Sequence, residues 1–350
     1  MFVDAQPAPA TPEPIPAPHD LLGRALRDLR LSVTDRCNFR CTYCMPREVF
    51  GSDHAFLPKS EILSFEELER ITRIFVRLGI EKVRITGGEP LLRRDLPHLV
   101  NRLSAIEGLH DLAMTTNGSA LVPLAKPLRD AGLKRITVSL DALDDRVFRA
   151  MNDADFPVHR VLAGIDVALE AGFSPIKINM VVKRGVNERE IIPMARRFAG
   201  KNYILRFIEY MDVGNSNHWR LDDMVPAKEI IAMLEQEFPL TSLRPNYAGE
   251  VARRFRQVDG GGEIGVIASV TQPFCRGCTR ARISSSGQFY TCLFTAQGHD
   301  IRKLLRSGVD DETIAAAVRA IWAGRTDRYS ELRSAATVAM PKPEMSLLGG

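Results

Sequence analysis

The chain has 350 residues, of which 45% are hydrophobic and 26% charged, with a formal net charge of +4. That length exceeds one average domain and supplies a sizeable core, in the composition of an ordinary globular protein. No apolar run approaches the roughly 18–20 residues a membrane helix needs, and the charge is too mild to signal nucleic-acid binding. Neither a membrane nor a nucleic acid is an expected partner.

Residues 1–21 are rich in proline and alanine, a composition that cannot bury a core and reads as a disordered tail. No basic segment followed by an apolar stretch heads the chain, so no export signal is read and a cytoplasmic location is expected. The segment 22–224 then alternates short β-branched runs with amphipathic stretches. The runs are Leu29–Val33, Lys82–Thr86, Asp111–Thr115, Arg135–Leu140, Ile176–Val182 and Ile204–Glu209. Between the first two, Phe65, Leu68, Ile71, Thr72, Phe75 and Leu78 fall on one helical face; Ser64 and Glu67 form a capping box, and Gly79 ends the helix. Further helices are expected after Asp95, Ala120, Pro157 and Asn187. Six strand–helix units in series imply a parallel sheet with right-handed crossovers, in an α/β fold. An incomplete (βα)6 barrel, two units short of a closed one, accommodates them, as does a doubly wound open sheet.

Residues 225–340 change pattern. A helix near Pro226–Phe238 leads into short strands broken by Gly260–Gly262 and Ser284–Gly287, then a last helix carries Ile314, Ala317, Val318 and Ile321. This reads as a smaller mixed α+β subdomain, and 341–350 as a C-terminal tail ending in Gly349 and Gly350.

Six cysteines fall into two triads, Cys37, Cys41, Cys44 and Cys275, Cys278, Cys292. Three disulfides are disfavoured in a reducing compartment, and odd-numbered clusters point to metal. Three closely spaced thiolates suit an iron–sulfur cube with one iron left open. The spacing of the first triad favours that over zinc, since its nearest histidine, His54, is distant and no second ligand pair is present. Spacing alone leaves the second triad open between a zinc ribbon and an iron–sulfur site. Arg280 and Arg282 follow it closely, and two neighbouring guanidiniums are costly unless they receive an anion such as phosphate.

The run Cys37-Asn38-Phe39-Arg40-Cys41-Thr42-Tyr43-Cys44 resembles the signature of the radical S-adenosylmethionine (SAM) superfamily. The resemblance implies a first [4Fe–4S] cluster whose open iron chelates the amino and carboxylate groups of SAM, and whose electron cleaves SAM to methionine and a 5′-deoxyadenosyl radical. It also implies SAM contacts at Tyr43, at Gly88 in Thr86-Gly87-Gly88-Glu89-Pro90, at Ser139 and at Met211.

The second triad with Thr279-Arg280-Ala281-Arg282 resembles the GTP 3′,8-cyclase family, also called molybdenum cofactor biosynthesis protein A, from about residue 22 to the C-terminus. What this implies is a second three-cysteine [4Fe–4S] cluster whose open iron binds guanine, and GTP contacts at Arg30, Arg84, Thr115, Lys177, Arg280, Ala281 and Arg282. The reaction implied is conversion of GTP to (8S)-3′,8-cyclo-7,8-dihydroguanosine 5′-triphosphate, through hydrogen abstraction at C3′ and attack on C8, as the first step of molybdenum cofactor synthesis. Arg280 and Arg282 would bind and orient the substrate, and the Gly349-Gly350 tail would reach into the active site. An electron donor and a downstream cyclic pyranopterin synthase are the implied partners, and a homodimer is left open. Two rival functions stand beside this one. A peptide-modifying radical SAM maturase would carry more C-terminal cysteines, and an iron–sulfur carrier or zinc module would not need the long strand–helix array.

Overall fold

The computed structural model describes residues 17–247, 249–258 and 260–349. Most of the proline-rich tail and Gly350 lie outside the described residues.

The expected strands form and pair in chain order. β1 (Asp28–Ser32), β2 (Lys82–Thr86), β3 (Asp111–Thr116), β4 (Arg135–Ser139), β5 (Ile176–Val182) and β6 (Gly200–Glu209) are all parallel neighbours. The second half of the chain extends this sheet at both edges. β7 (Leu240–Leu243), β8 (Arg253–Gln257) and β9 (Gly262–Ile267) join through β9, which runs parallel to β6. β10 (Arg280–Ile283), β11 (Gln288–Tyr290) and β12 (His299–Asp300) join through β10, which runs parallel to β1. The order is β12-β11-β10-β1-β2-β3-β4-β5-β6-β9-β8-β7, with the two ends unpaired. The six-strand array is therefore an open barrel, flanked on either side by a strand from the C-terminal half.

Helices cover the outside. α1 (Phe65–Arg77), α2 (Leu96–Ser104) and α3 (Leu121–Asp130) follow the first three strands, and α4 (Asp145–Asn152) with α5 (Val158–Glu170) follow β4. After β5 comes α6 (Ile191–Arg197), then α7 (Ala227–Glu235), α8 (Ile301–Arg306) and α9 (Asp311–Ala323) in the second half. α1 starts where expected. The Ser64 side chain accepts from the Glu67 amide at 3.2 Å, and the Glu67 carboxylate accepts from the Ser64 amide at 2.7 Å. Its buried Leu68, Ile71, Ile74 and Phe75 pack into one apolar cluster running through the strands.

α4 is not among the helices expected from the sequence, being only about two turns long. It forms on the Asp144 cap, whose carboxylate accepts from the Val147 amide at 2.9 Å, and buries Phe148 and Met151. Buried Glu209, at the end of β6, ties the two halves together. Its carboxylate accepts from the amides of Ala227, Val270 and Thr271 at 2.7–2.9 Å.

Candidate active site

Strand periodicity sorts the polar residues to the barrel interior, because alternate side chains face opposite sides of the sheet. Arg30 on β1 pairs in register with Arg84 on β2 and with Arg282 on β10. Arg84 Nη1 donates to Thr115 Oγ1 and Thr137 Oγ1, each at 3.0 Å. Lys177 pairs with Thr137 from the other side. Arg280 and Arg282 line the interior, whereas the Ala281 side chain between them is fully buried in the opposite direction, against the apolar core. Its side chain is the one expected GTP contact that the structure does not bring to the cavity.

The interior holds connected cavities. One is lined by Cys37, Cys41, Cys44, Tyr43, Gly88 and Ser139. A second is lined by Cys275, Cys278, Cys292, Arg280, Arg282 and Arg84. Thr115, Asn179, Ile208, Met211 and Met345 line both, so the two triads look into one space from opposite ends. Arg30, Arg84, Arg206 and Arg280 are shared in turn with a third, polar cavity that also takes in Lys177.

That third cavity is short of negative charge. Of its cations, Arg254 pairs with Glu263 at 2.7 Å and Lys82 with Asp28 at 3.1 Å. Among the described residues Arg30, Arg84, Lys177, Arg206 and Arg280 have no carboxylate partner. The Nε atoms of Arg84 and Arg206 are buried without any hydrogen-bond acceptor. Burial and then mutual repulsion push Arg30 and Arg84 down to about 9 and Arg206 to about 10, so all three stay protonated at neutral pH. Burial, Arg206 and Arg135 push Lys177 down to about 7. Buried, uncompensated cations are expensive, and an anion bound among them removes that cost. Arg206 escaped the sequence reading because one arginine in a β-branched strand gives no sign of which face it takes.

The first triad sits on the loop after β1, and its neighbours hold it from three strand ends. Tyr43 donates to the buried Asp141 carboxylate at 2.7 Å, and Asp141 accepts from the Val181 amide at 2.8 Å. Burial raises Asp141 to about 6. Gly87 and Gly88 pack against the segment leading into the triad. A Cβ on Gly88 would lie 2.3 Å from the Arg36 carbonyl oxygen, and the Gly88 amide donates to the Thr34 carbonyl at 2.7 Å. Glu89 is fully buried and raised by burial to about 7. Its carboxylate accepts from Thr116 Oγ1 and the Asn117 amide, both at 2.6 Å. Asp141 and Glu89 are the polar anchors that motif reading passed over, although both adjoin residues it had selected.

Thiol chemistry differs between the triads. Burial raises Cys37 to about 12, and burial with the neighbouring thiols raises Cys41 and Cys44 as well. Burial also raises Cys278, but the guanidiniums of Arg280 and Arg325 outweigh it and bring that thiol down to about 6. Cys292 is raised by burial to about 11. All six thiols are free of disulfides. Among the described residues no three His, Cys, Asp or Glu groups form a preformed single-ion site. Three thiols on a cavity wall, with no fourth cysteine in either triad, are a donor set that fits a [4Fe–4S] cluster with one iron left without a cysteine ligand.

The C-terminal tail enters the same space. Arg282 Nη1 donates to the Gly349 carbonyl at 2.8 Å, and Thr86 Oγ1 to the Leu348 carbonyl at 3.3 Å. Gly349 has φ +66°, and a Cβ there would stand 2.4 Å from the Thr86 Cβ. Met345 lines both triad cavities.

Comparison with known proteins agrees with this arrangement. Residues 31–198 match the radical SAM superfamily, and residues 203–331 match Molybdenum Cofactor Synthesis C. A "GTP 3′,8-cyclase" of Acidothermus cellulolyticus is 58% identical over 319 residues, covering 90% of this chain and 88% of that protein. One of Staphylococcus carnosus is 50% identical over 335 residues, covering 95% and 98%. The chain belongs to the GTP 3′,8-cyclase family. Membership brings the family's radical SAM cofactor set, a [4Fe–4S] cluster with SAM, and a second cluster fits the second triad. Among solved structures, Streptococcus suis SuiB bound to S-adenosylmethionine superimposes with a TM-score of 0.58 at 16% identity, covering 90% of this chain and 72% of that one. This likeness speaks to the fold, the open barrel with a C-terminal extension. No described helix is long and apolar enough to cross a membrane.

Proposed function

We propose that this chain is a GTP 3′,8-cyclase, converting GTP to (8S)-3′,8-cyclo-7,8-dihydroguanosine 5′-triphosphate as the first step of molybdenum cofactor synthesis. The observation that carries this reading is the line of three cavities: a thiol triad, a second thiol triad, and a basin of unpaired cations, in one continuous interior.

When bound, the first cluster and SAM supply a primary carbon radical, with the cluster carried on Cys37, Cys41 and Cys44. Around it Tyr43, oriented by Asp141, with Gly88, Ser139 and Met211, holds SAM in the first cavity. Cys275, Cys278 and Cys292 would hold the second cluster, which would supply a binding site for the guanine at that end of the cavity. Arg30, Arg84, Lys177, Arg206 and Arg280 receive the triphosphate. Guanidinium forks match phosphate oxygens, and the unsatisfied Nε atoms of Arg84 and Arg206 gain acceptors. Thr115, on the boundary between the triad cavities, reaches the ribose. Holding the nucleoside between two fixed ends limits the carbon that can approach the radical and keeps water out of the gap. Arg282 and Gly349 close the side of the space where the tail enters.

On this reading 22–224 supplies the SAM chemistry, 225–340 the substrate side, and 341–350 the inserted tail. The reaction runs in the cytoplasm, where six free thiols stay reduced. A low-potential donor delivers the electron, and cyclic pyranopterin synthase takes the product onward.

The test is anaerobic reconstitution with iron and sulfide, then incubation with SAM, dithionite and each of the four nucleoside triphosphates. The expected result is 5′-deoxyadenosine with a cyclised product from GTP only. Zinc at both triads without acid-labile sulfide, or SAM cleavage with no nucleotide product, would sink the reading.

A further inference from the structure

The second triad is assembled from two stretches of chain, and one network of four charges, three of them buried, touches both. Asp20 and Arg24 lie in the segment before β1, Arg325 and Asp327 in the segment after α9. Arg24 Nε pairs with Asp20 Oδ2 at 2.6 Å, Arg325 Nη1 reaches the same Asp20 oxygen at 3.4 Å, and Arg325 Nε lies 3.3 Å from Asp327 Oδ2. Arg24, Asp20 and Arg325 are almost wholly removed from solvent. The network extends to the cysteine arms. Arg24 Nη1 donates to the Cys275 carbonyl at 2.9 Å, and Arg325 Nη1 to the Cys278 carbonyl at 2.8 Å. Asp327 accepts from Thr291 at 2.6 Å and from Thr295 at 3.0 Å, on either side of Cys292.

The network is braced from outside. Arg24 Nη1 also donates to the Asp327 carbonyl at 2.8 Å. Trp322 Nε1 donates to the Arg24 carbonyl at 3.0 Å, and the Arg325 guanidinium lies 4.5 Å from the Trp322 ring centroid. One donor group is left over. Arg24 Nη2 is buried and has no acceptor, and Arg24 lines the cavity that the three cysteines line.

We infer that Asp20, Arg24, Arg325 and Asp327 are positioning residues that hold both stretches of the second triad in place and set the reduction potential of the cluster held there. This rests on reading the second triad as a [4Fe–4S] site. A buried hydrogen-bond donor without a partner costs free energy, and a cluster on the neighbouring thiols brings acceptor sulfurs and negative charge into the cavity that Arg24 lines. Charge and hydrogen bonds near the sulfurs are two of the levers that tune such a cluster. The four formal charges cancel. Removing one arginine leaves an excess of buried negative charge and opposes the arrival of an electron. Removing one carboxylate charge favours it.

The opposite signs give the test. In a Cys37→Ala, Cys41→Ala, Cys44→Ala background, which leaves only the second triad to carry a cluster, the midpoint potential is read by EPR-monitored redox titration with iron and sulfide content. Arg24→Gln is expected to lower the one-electron reduction constant about tenfold, a shift of about 59 mV to lower potential. Asp327→Asn, which keeps hydrogen-bonding atoms for Thr291 and Thr295, is expected to shift it the other way, and Arg24→Lys to stay close to the parent. Where Arg24→Gln takes up no iron, Asp327→Asn decides the electrostatic half. Loss of the second cluster alone, in protein that keeps the first triad and loads it, supports the positioning half. Full loading of both variants at the parent potential, or shifts of the same sign, would overturn the inference. A parent second triad that binds no iron and sulfide would instead remove the function proposed above.

Discussion

The two thiol triads solve one problem in different ways. The first is local: its three cysteines occupy one loop after β1, held by backbone contacts to the glycine pair after β2 and by Asp141 and Glu89 at neighbouring strand ends. The second is a meeting of distant parts. Cys275 and Cys278 precede β10, Cys292 follows β11, and the groups that fasten them come from residues 20–24 and 325–327. The contrast extends to charge. The first triad is raised by burial and by its own neighbouring thiols, with no cation strong enough to offset them. The second has Arg280 and Arg325 against Cys278. A short-range motif is enough to bring the first three thiols together, whereas the second three are fastened by cations drawn from across the fold.

Breaking either triad should separate the two halves of the reaction, and this is the largest expected effect. Cys41→Ala should reduce 5′-deoxyadenosine release to background. Cys278→Ala should leave SAM cleavage measurable while the cyclised nucleotide disappears, with both products read by chromatography and mass spectrometry. Equal loss of both products in the second variant would mean that the triads are not divided as proposed.

Next in size is the cation basin. Arg206→Leu removes a charged donor from the proposed triphosphate site, worth about 1.5–3 kcal/mol for a hydrogen bond to a charged group. GTP binding should weaken by about ten- to a hundredfold, with SAM binding unchanged in calorimetry. The empty variant should unfold no earlier than the parent, because a repelled, partnerless cation has been removed.

A pH series sharpens the same point. Lys177 sits at about 7 in the empty protein, below the ordinary lysine value, and a bound phosphate would raise it. GTP affinity should therefore be full below pH 7 and fall as pH rises through that value, by at most about tenfold per unit, with proton uptake on binding. The stability of the empty protein should slope the other way over the same range, because the unfolded lysine holds its proton to higher pH. Lys177→Arg should flatten the affinity profile.

Smaller effects are expected at positions that serve shape. Gly349→Ala forces a Cβ against Thr86 at a left-handed φ, at about 1–2 kcal/mol. Product formation should fall while global unfolding stays put, and hydrogen exchange over 345–349 should quicken. Ser64→Ala removes the α1 cap at about 1 kcal/mol, and should lower thermal stability with no change at either triad.

Much of this was legible in the sequence because its signals are short-range. β2 and β5 have the expected limits, and the other barrel strands differ at their ends, β6 by starting at Gly200. Cys37 to Cys44 announce themselves by spacing, whereas Arg30, Arg84 and Lys177 stand out by family resemblance, since a lone cation on a strand does not declare its face. What stayed hidden depends on contacts between remote segments. Arg24 and Arg325 look like ordinary charged residues beside a glycine or a helix end, and nothing in the chain says that they meet Cys275 and Cys278. Ala281 enters through the family resemblance together with Arg280 and Arg282, and strand alternation turns its side chain to the core.

The charge network behind Cys275, Cys278 and Cys292 also imposes an order on manufacture. A ribosome has released the loop of Cys37, Cys41 and Cys44, with the strands that support it, while Arg325 and Asp327 are still untranslated. The residues that frame the first triad are complete long before those that frame the second. The second waits until the opening segment of the polypeptide finds partners made some three hundred residues later.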